Sequence, residues 1–265
     1  MPSYTHGHDE SVLRSHRWRT VENSAAYLVR HLHPGLTLLD VGCGPGTITA
    51  DFARRLAPGR VLGVDTSADV IAAAKHDYPE VAFATGDVYL LDEADASWDI
   101  VHAHQVLQHV ADPVAALKAM RRAVRPGGIV AARDSDYASF TWHPGDERLT
   151  RWLALYREIA RVNGGEPDAG RHLLSWAQQA GFAQITPSAS VWCFATPEDR
   201  AWWGGLWADR ITTSAIADQA VREGRATVNE LASIADAWRE WSAAADGWLA
   251  VLHGEIICTD PAPGS

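Results

Sequence analysis

The sequence predicts an α/β fold, a mostly parallel sheet with helices on both faces. Three observations carry that prediction. Short β-type runs alternate with helical ones over residues of about 36 to 134, glycines at 42, 44 and 46 make the first strand-to-helix turn, and apolar residues recur at helical spacing around this series. Parallel strands need crossover connections, and the segments between these runs have helical patterning.

Residues 10–32, ESVLRSHRWRTVENSAAYLVRHL, space their apolar side chains as a helix and stop at His33-Pro34-Gly35. Next come LTLLDV as a strand, a helix over 46–57, the strand RVLGVD, a helix over 68–77 and the strand VAFATGD. WDIVHA, a helix over 113–124 and GGIVAARD complete the alternating region. After residue 140 the pattern changes. ERLTRWLALYREIARV sets Leu149, Trp152, Leu153, Tyr156 and Ile159 on one helical face, Gly164-Gly165 stops it, and a helix over about 170–180 ends at Gly181. FAQITPSASVWCF reads as a strand, residues 197–246 as tryptophan-rich helices and GWLAVLHGEIICTD as a last strand. The expected organisation is an N-terminal helical segment (1–34), a core (35–195 and 247–260) and a helical insertion (196–246).

Composition narrows the function. With 265 residues the chain can bury one sizeable core with an insertion. Lys and Arg number 23 against 33 Asp and Glu, a net charge of −10 that repels a phosphate backbone, and no basic stripe offsets it, so no nucleic-acid partner is expected. The polar start MPSYTHGHDE lacks the basic and apolar regions of a signal peptide, and no run reaches the roughly 18 apolar residues of a membrane span. A soluble, cytoplasmic protein without membrane insertion is expected. Cys43, Cys193 and Cys258 are scattered and odd in number, which fits reduced thiols better than disulfides or a metal knuckle. Ten of the twelve tryptophans lie from Trp142 onward, loading the second half with flat apolar surface.

The glycine stretch LLDVGCGPGT follows a strand and opens a helix, where glycine allows a tight turn and a close approach to a ligand. Its G-x-G-x-G spacing differs from the G-x-G-x-x-G of dinucleotide sites, and the lysine of a phosphate loop is absent. Asp65, ending the second strand, is placed to accept both hydroxyls of a ribose. Asp87, after the third, is placed to accept from an exocyclic amine such as that of adenine.

These residues resemble the class I S-adenosylmethionine-dependent methyltransferases, in particular their UbiE-like small-molecule branch. LLDVGCGPGT is similar to the first motif of that family, VLGVD to the acidic second, ATGDVYLL to the third, WDIVHAHQVLQHVADP to the fourth and RAVRPGGIVAARD to the fifth. The resemblance spans residues of about 35 to 135. It implies a Rossmann-like sheet of seven strands, the last antiparallel, with an N-terminal helix and a helical cap inserted before the last strand. It also implies that Asp40, Gly42, Cys43, Gly44 and Gly46 hold the methionine part of S-adenosylmethionine. Asp65 with Thr66 would then take the ribose, and Gly86, Asp87 and Val88 the adenine. His104 and Gln105 would lie beneath the sulfonium. From the N-terminal helix, Tyr4, His8, Trp18 and Arg19 would form the wall, Arg19 facing the cofactor carboxylate. The cysteine at 43 is expected to do no chemistry.

Methyl transfer from a sulfonium chiefly requires alignment, so few protein groups are obligatory. His104 is the expected catalytic residue, as a base or as a positioning group. H-x-H at His102 and His104 lacks a completing ligand, so no metal is expected. Asp134, Asp136 and Tyr137 follow the fifth strand, where loops line pockets, and Arg133 would balance the two carboxylates. Trp202, Trp203 and Trp207 share one helix, and Trp238 with Trp241 share a face of another. Such faces pack helices together or enclose a flat acceptor, for which Tyr137, Trp202 and Trp203 are the expected substrate-binding residues.

The expected function is transfer of a methyl group to oxygen or carbon of a small hydrophobic or aromatic acceptor, leaving S-adenosylhomocysteine. The alternatives are a regulator that binds the cofactor without transferring methyl and a nicotinamide-dependent oxidoreductase. No N/D-P-P-Y/F motif for methylating a base amine occurs, and a homodimer is left open.

Overall fold

In the computed structural model, residues 16–91 and 97–260 are described. Tyr4 and His8 lie outside them. Strands β1 (Leu38–Val41), β2 (Val61–Asp65), β3 (Ala82–Thr85), β4 (Trp98–His104), β5 (Val124–Ser135), β6 (Thr141–His143), β7 (Gln184–Phe194) and β8 (Trp248–Thr259) form one sheet. Its order is β3-β2-β1-β4-β5-β8, with β7 along the free side of β8 and β6 continuing beyond β5 against the first residues of β8. The pairs among β1 to β5 are parallel, and β8 runs antiparallel to β5, β6 and β7.

Period-two patterning places the core on both faces. Leu38, Ile100 and Ile257 pack with Val21, Leu28, Phe52 and Leu56, whereas the neighbouring Leu39, Val101 and Cys258 pack with Leu117, Met120, Leu173 and Phe182. Helices begin where the sequence supplies caps. Ser67 accepts from Val70 N at the start of Ala68–Asp77, Asp112 precedes Pro113 at the start of Pro113–Ala123, and Thr196 with Asp199 makes a capping box for Pro197–Thr213.

Two expectations need correction. The helix expected over 10–32 is broken, because Thr20 caps a new short helix, Val21–Ser24, with Asn23 completing a capping box and Asp51 accepting from Val21 N. A 3₁₀ segment, Ala26–His31, follows, and the break lets Val21, Ala25 and Leu28 all reach full burial. The sheet also has eight strands where seven were expected. Thr141-Trp142-His143 is too short to show a period of two, and it becomes a strand by pairing with Trp248, Leu249 and Ala250.

The cap draws on more of the chain than residues 196–246. Glu147–Val162 packs with Pro197–Thr213, Ala215–Arg222 and Val228–Ala243 into one aromatic cluster. Trp152 meets Trp207 and Trp238 edge-on, with centroids 4.6 and 4.8 Å apart, and all three are fully buried. Trp241 donates its indole N–H to His143 O at 3.0 Å, so Trp238 and Trp241 serve packing.

A two-part cavity at the carboxyl ends of the strands

A cavity of about 470 Å³ opens where β1, β2 and β4 end. One half is the glycine turn with Asp65, Thr66, Gly86, Asp87 and Val88. The other is an aromatic lobe containing Tyr137, Phe140, Trp192, Trp202, Trp203 and Trp207. Trp18 bridges the mouth, with its ring centroid 5.2 Å from those of both Trp192 and Trp202.

Gly42 and Gly44 line the cavity in left-handed backbone, at φ +66° and +55°. A Cβ at Gly42 would stand 2.4 Å from Val106 Cγ2. Gly46 was expected at the cofactor, but it lies outside the lining, and the Phe83 ring would meet its Cβ at 2.7 Å. Its place is under the turn, capping Thr47–Leu56 at φ +84°. Three N–H groups of the turn have partners within the fold. Cys43 donates to Val64 O, Gly44 to Asp65 Oδ2 at 3.1 Å and Gly46 to Cys43 O. The Asp65 carboxylate bonded to the turn sets a negative charge beside it, which disfavours a pyrophosphate there.

Asp65 also accepts from Ser67 N at 3.0 Å, which fixes its carboxylate at the cavity wall, and Asp87 accepts from Tyr89 N at 2.9 Å. Asp40 is only 3 % exposed, and its oxygens are engaged by His102 Nδ1 at 2.8 Å and Thr49 Oγ1 at 2.6 Å. It supports the turn from within the sheet. His102 thus serves Asp40, and among the described residues no group of three or more His, Cys, Asp or Glu is placed to hold a metal.

His104 lines the cavity, is 5 % exposed, and neither ring nitrogen has a hydrogen-bond partner among the described residues. Burial, then the charges of Arg19 and Arg133, pushes it well below the usual histidine range. Its neighbour Gln105 has φ +54° and joins two elements. Arg19 donates to Gln105 Oε1 at 2.6 Å, and Gln105 Nε2 stands 3.0 Å from His253 Nε2. His253 Nδ1 lies 3.0 Å from Val251 O, which can only accept, so His253 is protonated at Nδ1 and takes the amide proton at Nε2. Arg19, expected at the cofactor carboxylate, is thereby held at the floor of the cavity.

The residues at and just beyond the end of β5 take unexpected partners. Asp134 is fully buried, accepts from Gln108 N at 3.0 Å and is raised by burial to about 7. Asp136 receives Arg171 at 2.6 and 2.7 Å, and Arg133 makes its ion pair with Glu255 on β8 at 3.2 Å, acting on Asp134 only through its charge. Tyr137, Trp202 and Trp203, expected at the substrate, do line the aromatic lobe; Tyr137 stacks between Phe140 and Tyr156. Sequence reasoning missed Arg210, Phe140, Trp192 and Val251. Arg210 carried a readable signal, because it lies seven residues after Trp203, on the same helical face.

Cys43 lines the cavity as a thiol, its ionisation pushed far up by burial and by the nearby Asp40 and Asp65, while burial raises Cys258 to about 12. Iodoacetamide at pH 8 should label the exposed Cys193 in the native protein and spare the other two until denaturation. Peptide mapping checks this, and labelling of Cys43 at a rate comparable to Cys193 would refute its inert role.

This geometry belongs to an enzyme that seats an adenosyl-type cofactor on a glycine turn and a second molecule beside it. Comparison with known proteins identifies the family. Residues 32–181 match the methyltransferase domain model, and the chain belongs to that family as a class I S-adenosylmethionine-dependent methyltransferase. An uncharacterized methyltransferase of Schizosaccharomyces pombe is 34 % identical over 270 residues, covering 96 % of this chain and 95 % of the relative. A protein of Aspergillus luteorubrus named a probable methyltransferase is 29 % identical over 280 residues, 96 % of each chain. Among solved structures, a Haemonchus contortus phosphoethanolamine N-methyltransferase is 20 % identical with a TM-score of 0.55; the match covers 91 % of this chain and 53 % of that one, and shows the fold. The cofactor is S-adenosylmethionine. The lining fits it, with the carboxylates of Asp65 and Asp87 facing the cavity beside the glycine turn as acceptors for hydroxyl and amino groups.

Proposed function

We propose that this methyltransferase acts on oxygen or carbon of a small, flat, hydrophobic metabolite, as UbiE-like enzymes do. The observation that supports this reading is the aromatic lobe, which continues the cofactor half of the same cavity. S-adenosylmethionine, when bound, supplies an activated methyl group. Asp65 with Thr66 holds the ribose, Gly86, Asp87 and Val88 surround the adenine, and Gly42 to Gly44 face the amino-acid end. Trp18 and Trp192 exclude water from above, and Tyr137, Trp202 and Trp203 orient the acceptor. Among the described residues no helix is long and apolar enough to cross a membrane, and a cytoplasmic enzyme is part of the proposal.

His104 acts as a neutral positioning group in this reading. A good general base has a pKa near the working pH, and burial beside two arginine charges makes its protonation costly. Nitrogen NMR of the ¹⁵N-histidine protein, assigned with His104→Gln, should show His104 still neutral at pH 5.5. A midpoint near 6.5 would return it to the role of base.

The reading is tested by incubating the protein and isotope-labelled cofactor with fractionated metabolites and identifying labelled products by mass spectrometry. A labelled apolar product supports it. S-adenosylhomocysteine raising the melting temperature with no product from any fraction would favour the non-catalytic regulator.

A further inference from the structure

The hydrogen-bond chain at the floor of the cavity ends on a residue that is not part of the lining. His253 is fully buried in the middle of β8, with paired strands on both sides and Ser135 of β5 and Ser190 of β7 as its register partners. The next residue, Gly254, packs so closely on Gly170 that a Cβ there would overlap Gly170 O, so this part of β8 is held tightly.

From this fixed point two contacts run to residues 16–24, the segment from which Trp18 and Arg19 reach the cavity. The first contact is polar. With Nδ1–H given to Val251 O, His253 offers Gln105 only the lone pair of Nε2, and burial, then the charge of Arg133, keeps the ring neutral. An amide has a donor end and an acceptor end. Gln105 therefore turns its NH2 toward His253 and its oxygen toward Arg19, which donates to it at 2.6 Å. Rotated by half a turn, the same amide would set its NH2 against the guanidinium, donor against donor. Gln105 stands at φ +54°, left-handed backbone that glutamine seldom adopts, so the fold holds its side chain at this junction against a local preference. The second contact is apolar. The Trp192 ring has its centroid 4.3 Å from that of His253, meets Trp18 edge-on at 5.2 Å and donates its indole N–H to Asn23 O.

We infer that His253 is a positioning residue for cofactor binding, which holds Trp18 and Arg19 against the cavity through the amide of Gln105 and the ring of Trp192. This rests on the proposed seating of the cofactor in the glycine half. Without the lone pair of Nε2 the amide has lost the partner that selects its orientation, and its bond to Arg19 is made only part of the time. The segment then opens more often, and the cofactor is held less tightly.

The test is a double-mutant cycle on S-adenosylhomocysteine affinity, measured by calorimetry at neutral pH with His253→Phe and Arg19→Met. His253→Phe keeps a flat ring beside Trp192 and removes the acceptor for Gln105. It should weaken binding about tenfold in the unaltered background, and less than about twofold once Arg19→Met has removed the group that the amide serves. Hydrogen-deuterium exchange on the ligand-free protein is the second readout. Amides of residues 19–25 should exchange about tenfold faster in His253→Phe, while those of β1 keep their rate. An equal loss of affinity in both backgrounds marks a purely structural role and overturns the inference. So does a loss below about twofold in the unaltered background, or unchanged exchange at 19–25. If His253→Phe does not fold, His253→Asn carries the same cycle, because it retains a donor for Val251 O and falls short of Gln105. If S-adenosylhomocysteine does not bind the unaltered protein, the seating of the cofactor falls, and exchange at 19–25 alone decides whether His253 holds the segment.

Discussion

Asp65→Ala abolishes tight binding of S-adenosylhomocysteine, with affinity falling a hundredfold or more by calorimetry. The carboxylate does two things at once. It lines the cavity where the ribose hydroxyls are proposed to lie, and it accepts from Gly44 N and Ser67 N, tying the glycine turn to the next helix. Each hydrogen bond to a charged group contributes about 1.5–3 kcal/mol, so losing two to the ribose costs roughly 3–6 kcal/mol. Since about 1.4 kcal/mol is tenfold in affinity, a hundredfold is the low end. Asp65→Asn retains acceptor capacity on one oxygen and should fall between the two. The unliganded melting temperature separates loss of affinity from loss of fold, and unchanged affinity in a folded Asp65→Ala protein would remove Asp65 from the ribose.

The second large effect is a steep loss of stability in mild acid. His104, His109 and His253 are all lowered in the folded protein, His109 to about 3, with burial the first cause in each case. Below the unfolded histidine value near 6.5, the unfolded chain takes up three protons that the folded protein refuses, so their contribution to stability disappears as pH falls. Asp134 works the other way. Raised to about 7, it already holds a proton in the fold at pH 5 to 6, where the unfolded carboxyl has lost its own, so it offsets one of the three. A net uptake of about two protons gives a slope of about 3 kcal/mol per pH unit. For a chain of this size that corresponds to a fall in Tm of roughly 5 °C between pH 6 and pH 5. Calorimetric scans at intervals of half a pH unit measure it; His253→Asn should flatten the slope by about one proton, and a Tm constant over this range would show that these histidines titrate freely.

The histidines illustrate what a sequence does and does not disclose. Val101-His102-Ala103-His104 places two imidazoles on one face of a strand, which is legible from period two alone. Their different fates are set by register. β4 pairs with β1 so that His102 stands beside Asp40 and bonds to it, while His104, one pleat further, reaches the cavity beyond the end of β1. Likewise Arg133 and Asp134 look like compensating neighbours in the chain. Alternation sends them to opposite faces, one to Glu255 on β8 and the other beneath Gln108. The proposed cofactor half was readable because its chemistry sits at the ends of successive strands, each marked locally by glycine or aspartate.

The aromatic lobe was only partly readable. Trp202 and Trp203 announced an aromatic cap, yet the lobe also takes Tyr137 and Phe140 after β5, Trp192 from β7 and Val251 from β8. Those segments meet because β8 enters the sheet antiparallel between β5 and β7, a long-range pairing that no local pattern specifies. The same closure brings Glu147–Val162 into the cap. By itself, then, the sequence determined the sheet, the methyl donor and the strand ends proposed to hold it, because hydrophobic period and turn chemistry are properties of neighbouring residues. Only the tertiary structure decided which charges face one another and which rings line the aromatic lobe, because burial and pairing join residues tens to more than a hundred positions apart.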